Sequence, residues 1–310
     1  MSRSAVTVAS RCTVPRLSDA YQMNRDGDWR LLVLPAAWSD ELQTRVLALV
    51  NQQVPSKHPQ TVVVSWPTPG GKNEYYLKVF HVMTVGGAVK DLLRSSKPFR
   101  FWRQGLALSA AGFNVPQTVA AGELRSFRFV RRGFVLTAKV SGFPLPAFLA
   151  QAANAGDPKT FLTSKSSGVR RIAELVREFH RLGFVHGDLV ASNLVIANDI
   201  RRGSSVYFMD NDRTRRYPPW MPQTLWKRNL IQLNRMPLPG ITLQDRVRFL
   251  RTYLGRDRLS PRDRQFARWI ECQTRKRRHE CDGVDPTMSF RKLMQWNSDG
   301  GMDNDRQAQV

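Results

Sequence analysis

Cysteine is scarce in this chain of 310 residues: Cys12, Cys272 and Cys281 are all it has, and no C-x-x-C pair occurs. A sparse, odd set excludes a disulfide scaffold and points to a reducing compartment. Cys272, His279 and Cys281 lie close together, but their spacing matches no common zinc pattern and a fourth ligand is missing. Long apolar runs are also absent, which excludes a membrane-spanning helix. Residues 1–16 carry arginines without a continuous apolar core and make a poor signal peptide. The expected location is the cytosol, with any membrane contact peripheral. Acidic residues are few: 25 Asp and Glu stand against 48 Lys and Arg, a net charge of +23. Such a surplus speaks of partners more than of fold, and favours phosphate-rich surfaces. Between Arg201 and His279, 20 Lys and Arg face 6 Asp and Glu. A solvated arginine-rich face and a polyanion-binding surface both fit that pattern.

With 42% hydrophobic residues, the chain can bury a core of one two-lobed enzyme or two small domains. Residues 1–25 read as loose. Trp29–Leu34, Thr61–Trp66 and Glu74–Val82 have strand character, and Pro67–Asn73 is a turn, so 61–82 is a β-hairpin. Lys97–Ala111 has helical spacing with Gly112 as its cap. Strands are expected near 117–121, 127–130 and 133–140. Helices are expected at Leu145–Asn154, Val169–Leu182, Met221–Asn234, Leu243–Leu254 and Pro261–Thr274, with a polar loop from Asn154 to Ser167. The fold class is α+β, with a mainly β lobe holding one helix over 26–140 and a mainly α lobe over 141–279. Residues 280–310 read as a disordered tail. The chemistry is expected in the cleft between the lobes.

The strongest motif is FVHGDLVASNLVI, Phe184–Ile196, followed by a short hairpin ending at Asp210 and then Asn211, Asp212 and Arg213. Phosphoryl transfer needs positioning and charge neutralisation more than covalent help. One carboxylate must take the acceptor hydroxyl's proton, the role that fits Asp188. A second carboxylate and an amide oxygen must hold Mg²⁺, the role that fits Asp210 and Asn193. His186, Asp212 and Arg213 are accessory candidates beside them. The ordered pattern H-x-D-L-x-x-x-N, then a strand ending in Asp, is a kinase catalytic loop with its metal aspartate. Lys78, in the predicted strand YYLKVF, stands where such a lobe places its phosphate-binding lysine.

These residues, together with FWRQGLALSAAGFNVPQTVAAGE, FMDNDRTRR and DRVRFLRTYL, resemble the protein-kinase-like lipopolysaccharide kinases, which phosphorylate core heptose or 3-deoxy-manno-octulosonic acid (Kdo). The resemblance runs from about Trp29 to about Arg278. It implies a two-lobed protein-kinase-like fold, ATP and Mg²⁺ as cofactors, and an anionic glycolipid or sugar, not nucleic acid, as the expected partner. It implies Lys78 at the ATP phosphates, Asp188 as base, and Asn193 and Asp210 at the metal, with Lys57 and Thr137 also assigned to the nucleotide.

Two departures stand out. No G-x-G-x-x-G precedes Lys78, so the turn Ser56–Thr61 with Lys57 is expected to cover the phosphates. The helix at 97–111 has no glutamate to pair with Lys78: Phe101 lies near that place, and Asp91 is a substitute acid. Gly187 stands where regulated protein kinases carry arginine, and no Ala-Pro-Glu follows Arg216, which disfavours a phospho-regulated protein kinase. Arg213, Arg215, Arg216, Lys227 and Arg228 can line an anionic acceptor site. Trp220 and Trp226 are read either as core tryptophans or as aromatic contacts to a headgroup or sugar. A small-molecule kinase of the aminoglycoside or choline type, and a pseudokinase binding anionic lipid or nucleic acid, remain as alternatives.

Overall fold

The structure, a computed structural model, describes residues 20–56, 58–68, 71–81, 95–126, 129–154, 158–199, 203–218, 220–221, 224–238 and 240–298. The N-terminal part is a six-stranded antiparallel sheet of β1 (Gln22–Asp26), β2 (Trp29–Val33), β3 (Gln60–Thr68), β4 (Gly71–His81), β5 (Thr118–Ser126) and β6 (Phe129–Ala138). Its spatial order is β1-β2-β5-β6-β4-β3. Side chains alternate across a strand, and β4 shows the consequence. Tyr75, Leu77 and Val79 pack with Leu42, Val46 and Val50 of α1 (Asp40–Gln52) on one face. Phe80 packs with Phe99 and Phe101 of α2 (Lys97–Ala110) on the other. Lys78 therefore shares the α2 face.

Among the described residues the first lobe thus holds two α-helices where the sequence pattern marks one. The N-terminus of α1 is set by Ser39, whose side chain accepts from the Leu42 amide, and by Asp40 and Glu41 in the first turn. The 22–26 strand also reaches into the segment expected to be loose, while residues 1–19 lie outside the described residues. The three strands expected between 117 and 140 form two, β5 and β6. Arg131–Gly133 reads as a break, yet Gly133 pairs with Glu123 inside the ladder and lies against Pro98: a Cβ there would meet Pro98 Cγ at 2.6 Å. The glycine is a close approach between sheet and helix, not a turn.

The chain then crosses at 139–142 into the helical lobe. There α3 (Leu145–Asn154) and α4 (Pro158–Arg181) lead to β8 (Phe184–Val185) and the hairpin β9 (Leu194–Asp199)–β10 (Gly203–Phe208), which β7 (Phe143–Pro144) extends to three strands. After β11 (Arg215–Arg216) come α5 (Thr224–Leu233), α6 (Leu243–Leu254), α7 (Pro261–Asp282) and α8 (Phe290–Ser298). Capping boxes at Thr242/Asp245 and Ser260/Asp263 begin α6 and α7. The core is aromatic: Phe113, Phe179, Phe184 and Phe208 meet with ring centroids 4.9–6.1 Å apart. Phe113 belongs to the loop after α2, and the Phe208 amide donates to the Asn114 carbonyl at 2.9 Å. One loop therefore ties the sheet's helix to the C-terminal core.

Two expectations fail here for the same reason, a tertiary partner invisible in local pattern. The polar loop expected at 154–167 is helical from Pro158, and Lys165 is buried against Asp245 (2.9 Å) and the Gly240 carbonyl (2.9 Å). The tail expected to be disordered continues α7 to Asp282 and forms α8, where Leu293 is buried and the Arg246 guanidinium stacks 4.5 Å over Phe290. Residues 299–310 lie outside the described residues.

Candidate active site between the lobes

Lys78 leaves the sheet on the face that looks toward the helical lobe. Its Nζ lies 2.5 Å from Asp210 Oδ1, and 5.7 Å from the centre of the Phe80 ring. This is the carboxylate partner that α2 lacks; no Asp or Glu occurs within Lys97–Ala110. Phe101 is buried with Leu32, Phe80, Phe99, Ala121 and Val135. It fastens α2 to the sheet and offers Lys78 nothing. Asp91 and Lys57 lie outside the described residues. Thr137 shares the face of Lys78 by strand alternation, and its hydroxyl donates to the Tyr76 carbonyl at 3.5 Å.

The loop 186–193 is held from within and from beneath. His186 is 1% exposed. Its Nε2 lies 2.9 Å from the Met209 carbonyl and its Nδ1 lies 3.1 Å from the Asp188 amide. A carbonyl can only accept and an amide N–H can only donate, so the ring is the neutral Nε2–H tautomer. Burial pushes its pKa down, consistent with that state. Asn193 Nδ2 donates to the Asp188 carbonyl at 2.9 Å, and the Asn193 carbonyl accepts from the Met209 amide at 2.8 Å. His186 and Asn193 thereby tie the Asp188 loop to Met209, the residue before Asp210.

Asp210 is the one described non-glycine residue with positive φ, at 50°. Asp tolerates this left-handed region better than most residues, and such strain gathers at functional sites. The bend turns the chain into the Asn211–Arg213 helical turn, which packs on α2. Asn211 is fully buried, and its Nδ2 donates to the Phe208 carbonyl at 2.8 Å. Asp212 is partly buried. Burial first, and then the neighbouring Asp210, raise its pKa, against the opposing pull of Lys78, Arg213 and Lys97. Gly187 is demanded by this same turn: a Cβ on it would lie 2.0 Å from Arg213 Cβ.

The donor set fits magnesium. Asn193 commits its amide nitrogen to the loop, leaving its amide oxygen available as a hard donor along with the Asp210 carboxylate. Among the described residues no group of three or more His, Cys, Asp or Glu forms a metal cage. Mg²⁺ is ordinarily held by one or two carboxylates plus substrate phosphates, so a sparse set of hard oxygens is the expected one.

Pattern reading missed the layer below. On α5, Asn229 and Gln232 are buried and face the loop, and Gln232 Nε2 donates to Asp188 Oδ1 at 3.0 Å. Their spacing of three on a helix was the available signal. Of the tryptophans, Trp226 stacks on His180 with centroids 6.5 Å apart, while Trp220 is 79% exposed. Arg213, Arg215, Arg216 and Arg228 are exposed, and Lys227 lies over the Phe266 and Trp269 rings. The helical lobe also carries a half-open, mainly apolar cavity of about 1130 Å³, with Phe148, Leu149, Ile172, Leu230, Leu250 and Ile270 among its walls.

The lipopolysaccharide kinase (Kdo/WaaP) family model matches residues 70–253. A solved structure of WaaP in complex with acyl carrier protein aligns with 75% of this chain and 92% of that one, at 21% identity and a TM-score of 0.52. The kinase domain of a Toxoplasma gondii rhoptry antigen aligns with 75% of this chain and 92% of its own, at 15% identity and a TM-score of 0.38. The Mycobacterium tuberculosis PknI kinase domain aligns over 67% and 77%, at 13% identity and 0.32. No curated protein matches the chain.

Proposed function

The chain belongs to the lipopolysaccharide kinase (Kdo/WaaP) family and is a kinase, and we propose that it transfers the γ-phosphate of ATP to a sugar hydroxyl of the lipopolysaccharide core. The observation that carries this is the 2.5 Å contact of Lys78 with Asp210 across the lobes, beside a loop holding Asp188 and Asn193. In this reading Asp188 orients the acceptor hydroxyl and takes its proton. Lys78 steadies the α- and β-phosphates. Asn193 and Asp210 would hold Mg²⁺, which supplies charge neutralisation on the phosphates. The pseudokinase alternative rested on the missing helix glutamate and the missing glycine-rich turn, and the contact of Lys78 with Asp210 weighs against the first of these by giving the lysine a carboxylate.

The exposed Arg213, Arg215, Arg216 and Arg228 supply bidentate donors for an anionic acceptor. Together with the exposed Trp220 they support peripheral contact with the cytoplasmic face of the inner membrane. No described helix is long and apolar enough to cross one. The cavity in the helical lobe supports a second contact. Its volume and apolar walls suit a long acyl chain, and WaaP has been solved bound to acyl carrier protein. An acyl group, from a carrier or from the lipid acceptor, is the ligand class assigned to it.

Radiolabelled ATP with Mg²⁺ should label lipopolysaccharide core acceptors, and Asp188→Ala should remove that transfer while the melting temperature holds. Undiminished labelling by Asp188→Ala would end the mechanism. Label found only on a soluble amino alcohol would favour the small-molecule kinase.

A further inference from the structure

Beneath the loop that carries Asp188 lies a buried polar chain running back to α6. Asn229 is 0% and Gln232 8% exposed. Two amide side chains buried in a helical core each carry two N–H donors and a carbonyl acceptor, and leaving any unpaired is costly. All their partners are supplied. Asn229 Oδ1 accepts the His186 amide at 2.9 Å, and its Nδ2 donates to the His186 carbonyl at 2.6 Å and to Gln232 Oε1 at 3.0 Å. Gln232 Oε1 also accepts the Leu189 amide at 3.3 Å. Gln232 Nε2 donates to the Gly187 carbonyl at 3.3 Å and to Asp188 Oδ1 at 3.0 Å. Residues 186–189 are thus read, peptide by peptide, by two side chains one helical turn apart.

The far end of the chain fixes which way these amides point. His180, 5% exposed, lies 3.1 Å by Nε2 from Asn229 Oδ1 and 2.8 Å by Nδ1 from the Tyr253 hydroxyl. Asn229 Oδ1 can only accept, so Nε2 carries the proton, and Nδ1 takes a hydrogen bond from Tyr253. The direction then propagates: Tyr253 O–H to His180, His180 N–H to Asn229, Asn229 N–H to Gln232, Gln232 N–H to Asp188. Flipping either amide would set donor against donor at several contacts at once. The orientation of the Gln232 nitrogen toward Asp188 is therefore over-determined.

We propose that Gln232 is the positioning residue for Asp188, fixing the carboxylate through Oδ1 so that Oδ2 is presented to the acceptor hydroxyl, with Asn229 and His180 fixing Gln232. This rests on the reading of Asp188 as the base. Gln232 touches neither Lys78, Asn193 nor Asp210 in the hydrogen bonds described, so its effect falls on turnover and not on nucleotide binding.

The test uses the full chain and measures both acceptor labelling and acceptor-free ATP hydrolysis. Gln232→Met keeps side-chain length and loses the donor. It should lower kcat by about 10- to 100-fold through misplacement of the base, with KM for ATP within about twofold of wild type. Gln232→Leu, uncharged and likewise lacking the donor, should fall as far, and covers the case in which the methionine variant folds poorly. Added to Asp188→Asn, Gln232→Met should cost less than about twofold more, because the residue acts through Asp188. Unchanged kcat in both single variants, KM for ATP rising with kcat constant, or full additivity with Asp188→Asn would overturn the proposal. Wild-type hydrolysis of ATP without labelling of lipopolysaccharide would sink the acceptor assignment alone, since the hydrolysis arm still reads Gln232. Absence of both activities in the wild type would overturn the two together.

Discussion

Lys78 Nζ and Asp210 Oδ1 stand 2.5 Å apart although 132 positions separate them in the chain. A strand of the sheet and the end of a hairpin in the helical lobe are joined at this point. In a kinase lobe whose helix offers an acid, the lysine is held within its own lobe. Here α2 carries none, and Asp210 of the other lobe does the holding. Under the proposed function, a nucleotide entering the cleft would meet a lysine already extended toward its phosphates.

The pair should matter for turnover and little for stability. Lys78 and Asp210 side chains are 20% and 41% exposed, so losing their attraction should cost less than about 1 kcal/mol. Lys78→Met and Asp210→Asn should each lower kcat/KM for ATP by about 10²- to 10³-fold, measured by phosphate release and labelling. A fall in melting temperature that accounts for the activity loss would contradict this.

Gly187 tests the docking of the two motifs. The Cβ of an alanine would overlap Arg213 Cβ at 2.0 Å, and Arg213 backbone atoms follow at 3.0 Å. Gly187→Ala should destabilise by about 1–3 kcal/mol and lower kcat by about 10²-fold as the loop shifts. Urea unfolding and steady-state kinetics read the two effects. Wild-type values for both would show that the loop has room.

Acid should loosen the helical lobe before carboxylates matter. Burial lowers the His180 pKa from its ordinary value near 6.5 to about 4. Between those values the unfolded chain binds the proton and the folded chain does not, so stability falls as pH drops from about 6.5 toward 4. The loss attributable to His180 is about 3 kcal/mol. His186, whose pKa burial also lowers, adds a loss of the same sign. Urea midpoints across this window should show the slope, and His180→Gln should flatten it. An unchanged slope in that variant would place the acid sensitivity elsewhere.

The cavity predicts a passenger. Organic extraction of the purified protein, followed by mass spectrometry, should recover long-chain acyl species. Leu250→Trp, which projects bulk into the cavity, should reduce that recovery while ATP hydrolysis persists. Equal recovery from the variant would mean the lipid binds another surface.

Much of the site was readable before any coordinates. His186, Asp188, Asn193 and Asp210 sit within 25 residues, because a loop and one hairpin build that half of the site from nearly contiguous chain. Lys78 was readable because a lysine among apolar residues on an alternating strand has few places to go. The helix α1 was legible as well, for Leu42, Val46, Leu49 and Val50 recur at helical spacing behind the capping Ser39, a signal the strand-and-turn pattern around it left unused. The extended start of α4 and the helix α8 escaped because their polar and aromatic residues are stabilised by distant partners, Asp245 for Lys165 and Arg246 for Phe290.

Composition, periodicity and a few motif residues were enough to settle the two-lobed kinase-like plan and to bring His186, Asp188, Asn193 and Asp210 onto one loop and hairpin, since backbone alternation and local turns follow from neighbouring residues. The partner of Lys78, the need for glycine at 187, the amides beneath Asp188 and the cavity walls were decided only when distant segments packed together. Hydrogen bonds and steric overlaps depend on distances of a few tenths of an ångström, and no local pattern encodes those between residues dozens of positions apart.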